Sequence, residues 1–130
     1  MHILIVDDDG GAAAATRAFV QHLVPTASVV CEARLEHAWS AAQHTPPDLL
    51  VIDPAPYLAT ARLLMRLCKE SWPTMHTAVL TSAPIAPSRR QQFHADAYLE
   101  KPASPTQLLE ALTPLIQNIQ ATAPDPSSPI

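Results

Sequence analysis

The chain opens on an unbroken apolar run, Ile3 to Val6, and three aspartates follow at once, Asp7, Asp8 and Asp9. Apolar, β-branched residues without polar alternation indicate a strand buried on both faces, as in a parallel sheet covered by helices. Three adjacent carboxylates repel one another, so they lower stability unless a cation or another positive group lies among them. The start of the chain therefore predicts a buried strand that ends in either a solvated acidic turn or a cation site.

Four further segments have a strand pattern, and segments with helical spacing separate them. Strands are predicted at 28–31, 49–52, 78–80 and 97–99, and helices at about 12–23, 35–42, 58–68, 88–94 and 105–119. This alternation predicts an α/β fold, a doubly wound five-stranded parallel sheet with helices on both faces. For the strand order 2-1-3-4-5, ligands are expected where the order reverses, at the carboxyl ends of the first and third strands.

The last predicted helix has a clear start and a proline in its interior. Ser104, Pro105 and Gln107 suit the N-cap, the first helical position and the third helical position. Pro114 is expected to kink this helix or end it early. Residues 1–119 are predicted to form one domain. Residues 120–130, rich in Pro and Ser, are predicted to be a disordered tail or the beginning of a linker to an effector domain.

Composition argues against several classes of protein. A net charge of −4 with only eight Lys and Arg argues against a nucleic-acid surface, although Arg62, Arg66 and Lys69 share one helical face. No apolar run reaches the roughly 18 residues that indicate a membrane span, and no secretory signal is apparent. A cytoplasmic protein without a membrane partner is therefore expected. Cys31 and Cys68 are interpreted as small buried apolar residues rather than reactive thiols.

Polar residues end four of the predicted strands, and together they suit one site. Asp7 and Asp8 follow the first strand, Asp53 the third, Thr81 the fourth and Lys101 the fifth. Carboxylates without a histidine or thiolate suit a hard cation, with Mg²⁺ the default. A lysine and a hydroxyl that face a metal-bound carboxylate suit a phosphoryl group. The carboxylate itself can be the nucleophile and form an acyl phosphate.

Four segments at these strand ends resemble the signatures of response-regulator receiver domains, in the right order and over about residues 1–119. They are 3–9, 47–53, 79–83 and 95–102. Each segment alone is a weak signal, but four in register make a specific match. The resemblance implies a flavodoxin-like three-layer sandwich and a part in a two-component phosphorelay. In that role the domain would accept a phosphoryl group from a sensor histidine kinase or phosphotransfer protein and then change conformation.

The resemblance also implies which residues bind the metal and the phosphoryl group. Asp53 would be the phospho-acceptor. Mg²⁺ would be held by Asp7, Asp8, Asp53 and the backbone carbonyl of Ala55. Such a domain is a regulatory phospho-acceptor rather than an enzyme, with self-catalysed phosphoryl transfer only.

Three further residues have roles in the switch that the resemblance implies. Thr81 would bond the phosphoryl group and move towards it, Lys101 would pair with it, and Tyr98 would change rotamer as Thr81 moves. The Lys101–Pro102 peptide bond would be cis. The face formed by the fourth helix, fifth strand and fifth helix would be the output surface and a possible homodimer interface.

The loop after Asp53 departs from the family pattern, because it is short and lacks the usual glycine. Pro54 removes a backbone donor and Pro56 restricts Ala55, which bears more on the Ala55 ligand than on Asp53. One alternative is therefore a degenerate receiver that serves as a non-phosphorylated protein-interaction or dimerisation module. Another is a metal-dependent phosphatase or other flavodoxin-like enzyme, but we find no separate general acid or substrate pocket in the sequence.

Overall fold

The computed structural model describes residues 1–122, which form five strands and five helices in strict alternation. The strands are β1 (His2–Val6), β2 (Ser28–Glu32), β3 (Leu49–Ile52), β4 (His76–Thr81) and β5 (Ala97–Glu100). The helices are α1 (Gly10–Leu23), α2 (Leu35–His44), α3 (Leu58–Ser71), α4 (Pro87–Gln91) and α5 (Pro105–Thr122). Within this range no helix has the length and apolar character needed to cross a membrane.

All neighbouring strands pair in parallel, in the order β2-β1-β3-β4-β5. This confirms the predicted α/β class and strand order. Val6 of β1 pairs with Ile52 of β3, so the two strands end at the same level of the sheet. The acidic residues that follow them are therefore neighbours, at the point where the strand order reverses.

The sheet has an apolar core on each face, because successive strand residues point to opposite sides. Ile3 and Ile5 of β1 pack in the cluster that includes α1 and α5. Leu4 and Val6 pack in the cluster that includes α2 and α3. All four side chains are at most 4% exposed. Each such side chain stabilises the fold by about 1.5–3 kcal/mol, which explains why β1 has no polar alternation.

Helix α5 begins as the sequence predicts but continues beyond the predicted boundary at residue 119. The backbone N–H of Ser104 donates to Oε1 of Gln107 at 2.9 Å, and the N–H of Gln107 donates to Oγ of Ser104 at 3.1 Å, which confirms the capping box. The helix does not end at Pro114 but runs to Thr122. Leu115 and Ile119 are buried after the proline, and their burial offsets the lost backbone hydrogen bond. Residues 120–122, predicted to begin a disordered tail, therefore belong to α5, and residues 123–130 of the predicted tail lie outside the described residues.

Helix α4 is a short helix of five residues, shorter than the predicted 88–94. The chain leaves the helix before His94, whose φ of 49° lies in the left-handed region and does not continue a right-handed helix. Arg90 ties α4 to its surroundings. Its Nε donates to the carbonyl of Ile85 at 2.9 Å, and its Nη2 donates to Glu100 at 2.6 Å.

The two cysteines are free thiols. Cys68 is fully buried in α3, and burial raises the pKa of its thiol to about 11. Cys31 is half-buried at the end of β2, and burial raises the pKa of its thiol while the nearby Arg17 lowers it. The prediction of a buried residue is therefore confirmed for Cys68 but not for Cys31, and the raised pKa values suit thiols of low reactivity.

Candidate functional site

The carboxyl ends of β1, β3 and β5 bring a lysine between two aspartates. Nζ of Lys101 donates to Oδ2 of Asp7, and also to Oδ2 of Asp53 at 3.0 Å. The side chains of both aspartates are 5% exposed and that of Lys101 is 15% exposed. Two buried carboxylates therefore share one partly buried ammonium group, which partly offsets their repulsion.

The protonation of Lys101 follows from these contacts. Burial by itself lowers the pKa of the ammonium group, because it removes water from the charged form. Hydrogen bonds and charge attraction from Asp7 and Asp53 act in the opposite direction and outweigh burial, so the pKa of Lys101 is raised. The lysine therefore stays a cation at neutral pH.

The three consecutive aspartates have different environments. Asp7 is buried, and its Oδ1 accepts from the backbone N–H of Asp9 at 2.9 Å. Asp8 is exposed and lines a cavity of about 550 Å³ beside Asp53 and Ala55. Asp9 is the N-cap of α1, and its Oδ1 accepts from the N–H groups of Gly11 and Ala12 at 3.0 and 3.1 Å. Sequence analysis missed this cap, although an aspartate directly before a helix is a known start signal.

The loop after β3 wraps around the carboxylate of Asp53. Its Oδ1 accepts from the backbone N–H of Ala55 at 3.0 Å, while Oδ2 accepts from Lys101. Pro54 is fully buried, and the Ala55–Pro56 peptide bond is cis. The loop therefore directs the backbone N–H of Ala55 at the carboxylate, although prolines lie on both sides of Ala55.

Thr81 and Tyr98 lie on neighbouring strands and on the same face of the sheet. Tyr98 pairs with Val79, and Thr81 is two residues after Val79 in the same strand, so the three side chains share one face. Thr81 is fully buried at the end of β4, and its Oγ1 accepts from the N–H of Ala83 at 3.2 Å. The hydroxyl of Tyr98 is buried and has no hydrogen-bond partner among the described residues. Burial raises the pKa of this phenol, and the Arg90 guanidinium, 4.7 Å from the ring centroid, lowers it.

The Lys101–Pro102 peptide bond is cis, as the sequence resemblance implies. This geometry belongs to the turn between β5 and α5. The backbone N–H of Lys101 donates to the carbonyl of Thr81 at 2.8 Å, which continues the strand pairing up to the site. The lysine therefore enters the site from the end of the last strand.

The cavity beside Asp53 has one feature that the sequence analysis missed. Arg34 and Glu36, at the start of α2, line it together with Asp8 and the loop after β3. They follow β2, which does not end in any of the motifs singled out from the sequence. Only the pairing of β2 with β1 brings them to this edge of the sheet.

The oxygen donors at this edge fit the chemistry of Mg²⁺, which takes one or two protein carboxylates and keeps several waters. Asp8, Asp53 and Ala55 line one open cavity, where such waters have room. Within residues 1–122 no three His, Cys, Asp or Glu side chains form a ready-made metal cluster. A hard cation would therefore depend on water ligands and on a backbone carbonyl as well as on carboxylates.

No protein-family model matches the chain, and no curated protein matches it. Solved structures of receiver domains do. A CheY-like receiver domain protein from Methanospirillum hungatei is 21% identical, with a TM-score of 0.79 over 94% of this chain and 98% of that chain. The signal receiver domain of a DNA-binding response regulator from Colwellia psychrerythraea is also 21% identical, with a TM-score of 0.78 over 90% and 98%.

A third similar structure is the chemotaxis protein CheY4 from Vibrio cholerae, which is 21% identical, with a TM-score of 0.75 over 88% of this chain and 97% of that chain. All three structures are matched over nearly their whole length, so the likeness covers the complete fold. The strand order and the helices on both faces of the sheet agree with it. The chain therefore has the fold of the CheY-like response-regulator receiver domains.

Proposed function

We propose that this chain is the receiver domain of a two-component phosphorelay and that it accepts a phosphoryl group on Asp53. The donor would be a sensor histidine kinase or a phosphotransfer protein. The observation that carries the proposal is the contact of the Lys101 ammonium with Asp7 and Asp53. The neighbouring strand β4 ends in Thr81, a buried residue with a hydroxyl group. In a receiver fold this arrangement lies where the strand order reverses, which is where ligands bind in open parallel sheets.

The proposed transfer uses a carboxylate oxygen of Asp53 as the nucleophile. It attacks the phosphorus of a phosphohistidine, the new P–O bond forms an acyl phosphate, and the P–N bond breaks with its electron pair going to the imidazole. Asp8 and Asp53 line the same cavity, and through this cavity a phosphohistidine would reach the carboxylate of Asp53. Lys101 already contacts Asp53 and would pair with the added phosphoryl oxygens.

Asp7, Asp8, Asp53 and the backbone carbonyl of Ala55 would hold Mg²⁺. When bound, the ion would offset the charge of the carboxylates and of the phosphoryl oxygens.

The proposed switch begins at Thr81. Its hydroxyl accepts from Ala83 and can still donate, so it can bond a phosphoryl oxygen if the end of β4 moves towards Asp53. Such a movement would vacate space next to Tyr98, whose ring packs in the same core cluster as Val79. The change would be read at the face formed by α4, β5 and α5, either by a partner protein or by a second copy of the chain.

The protein is proposed to act as a regulatory phospho-acceptor in the cytoplasm rather than as an enzyme with a separate substrate. The similar domain from Colwellia psychrerythraea belongs to a DNA-binding response regulator. By analogy, an effector domain beyond residue 130 would supply an output for this chain.

The decisive experiment is to incubate the protein with Mg²⁺ and phosphoramidate, a small phosphodonor, and to record the intact mass. We expect a single phosphoryl adduct on the wild type and none on Asp53→Ala. Asp9→Asn is a matched control, because it removes one charge from the same acidic turn while asparagine can keep the N-cap of α1. It should still form the adduct.

The alternative is a degenerate receiver that serves as a non-phosphorylated interaction or dimerisation module. The loop after Asp53 favours this alternative. Pro54 and Pro56 restrict the backbone around Ala55, whose carbonyl would have to bind Mg²⁺. Absence of the adduct from a folded wild type with Mg²⁺ present would replace the proposal by this alternative. Folding would be verified by circular dichroism in the same buffer.

A further inference from the structure

A groove lies between α3 and residues 92–94, which follow the short helix α4. The cavity there has a volume of about 640 Å³ and lies away from the acidic edge of the sheet. Apolar side chains and cations both line it, and the ones that matter here are Arg62, Leu63, Arg66, Lys69, Phe93 and His94. We call this feature the α3–α4 groove.

Positive charge is concentrated around the α3–α4 groove. Three of the chain's eight Lys and Arg, namely Arg62, Arg66 and Lys69, line the groove, although the chain has a net charge of −4. Glu70 is the one acidic residue among the described residues that line the groove. The charge of this face is therefore opposite in sign to that of the molecule as a whole, which is the pattern of a surface that attracts an anionic partner.

Two of the three cations at the groove are held in place without being neutralised. Nη1 of Arg62 donates to the amide oxygen of Gln92 at 2.6 Å, and Nζ of Lys69 donates to the carbonyl of Met75 at 2.6 Å. Both acceptors are uncharged. Arg66 lies 3.8 Å from Glu70, but both side chains are about two-thirds exposed, so this ion pair is weak. Fixed and unneutralised cations lower the entropy cost of binding an anion.

The shape of the charged row indicates what the groove would bind. Arg62, Arg66 and Lys69 follow an i, i+4, i+7 spacing, which places them along one side of α3 over about 10 Å. Leu63 lies beside them with 45% of its surface exposed, and Phe93 is buried in the wall of the groove. A single phosphate would span only part of this row and would leave the exposed leucine unused. An acidic helix with apolar residues on an adjacent side matches both features.

We propose that the α3–α4 groove docks an acidic amphipathic helix of a partner protein. Carboxylates of that helix at i, i+4 and i+7 would face the three cations, and an apolar side chain would cover Leu63. The surface is distinct from the α4-β5-α5 face proposed for output. Its recognition rests on α3 and does not require phosphorylation of Asp53.

The test measures binding of a fluorescein-labelled peptide of about 15 residues, long enough to be helical, with glutamates at i, i+4 and i+7 and leucines on the adjacent side. Fluorescence anisotropy is recorded with the whole protein at low and high salt. A second peptide replaces the glutamates by glutamines. A single-stranded oligonucleotide of the same net charge is the third probe.

We expect the glutamate peptide to bind, the glutamine peptide to bind much more weakly, and salt to weaken the binding. Arg66→Glu should lower the affinity by about tenfold, because it reverses a charge in the middle of the row. Leu63→Ser should also lower it. Arg17→Glu is the matched control, since it makes the same charge change on α1, which packs on the other face of the sheet.

Three results would overturn the proposal. One is failure of the glutamate peptide to bind a folded protein. Another is equal weakening by Arg17→Glu and Arg66→Glu, which would mean a general charge effect. The third is tighter binding of the oligonucleotide than of the peptide, with no effect of Leu63→Ser, which would assign the groove to a nucleic acid.

Discussion

Lys101 connects the carboxyl ends of β1, β3 and β5, because its ammonium group contacts both Asp7 and Asp53. Its ammonium is the one cation that lies between Asp7 and Asp53 in the described structure, and all three side chains are largely buried. Removal of one partner from a buried charged cluster usually destabilises more strongly than the cluster itself stabilises. The cost appears because the remaining charges are left without compensation.

We predict that Lys101→Met lowers the free energy of unfolding by about 3 kcal/mol at neutral pH, because two buried carboxylates lose their cation. The pKa of Lys101 is raised in the folded protein, so its contribution is fully present below its ordinary pKa of 10.5. The contribution is lost as the pH rises through the folded-state pKa. Urea unfolding of wild type and variant at pH 8 and pH 11 should show the difference between them shrinking at the higher pH.

Asp7→Asn is a useful companion variant, since it removes one of the two anions instead of the cation. It should destabilise less than Lys101→Met, because one carboxylate then remains for one ammonium. A Lys101→Met protein as stable as the wild type at pH 8 would contradict this account of the site.

Helices α4 and α5 show which properties of a helix depend on nearby residues in the sequence and which depend on packing. Helix α5 starts at a reciprocal cap between Ser104 and Gln107, which are close in sequence. Its continuation past Pro114 depends instead on apolar residues that face the sheet. Helix α4 has no such cap and is short, and Arg90 connects it to β5.

We predict that Ser104→Ala lowers the free energy of unfolding by about 1 kcal/mol, because the N–H of Gln107 loses its acceptor. Urea unfolding followed by circular dichroism measures the change. Ser40→Ala is the control, because Ser40 is an exposed residue inside α2 and alanine is the better helix former there. If both variants lose the same stability, the cap does not stabilise the start of α5.

At the scale of the whole molecule, one sheet joins two apolar cores. The cluster with α1 and α5 lies on one face, and the cluster with α2 and α3 lies on the other. Trp39 and Trp72 pack against the second cluster, with ring centroids 5.9 Å apart, so tryptophan fluorescence reports on that face. Because both cores contain residues of β1, β3 and β4, unfolding of one face should expose the other.

We predict that Leu112→Ala, in α5, lowers the free energy of unfolding by about 2–5 kcal/mol. Leu112 is 2% exposed and belongs to the cluster without the tryptophans. The midpoint of the fluorescence-detected transition should nevertheless shift as far as the midpoint seen by circular dichroism. A fluorescence transition that stays at the wild-type midpoint would show that the two faces unfold separately.

The sequence by itself determined the strands, their parallel arrangement and the residues at their ends. Runs such as Ile3 to Val6 are local and apolar, and their alternation with helical spacing leaves few compatible topologies. The cap at Ser104 was equally predictable, because its two partners are three residues apart. The positions of Asp7, Asp53 and Lys101 at one edge followed from the strand order alone.

Only the tertiary structure decided how these groups are used. Lys101 contacts Asp7, which is 94 residues away in the sequence. Asp9 caps α1, whereas Asp7 contacts Lys101 and Asp8 lines the cavity beside Asp53. The continuation of α5 past Pro114, the five-residue α4 and the groove beside it depend on burial and on contacts between distant elements. Sequence patterns report a residue's neighbours along the chain, whereas these features follow from which elements pack together and how much surface they bury.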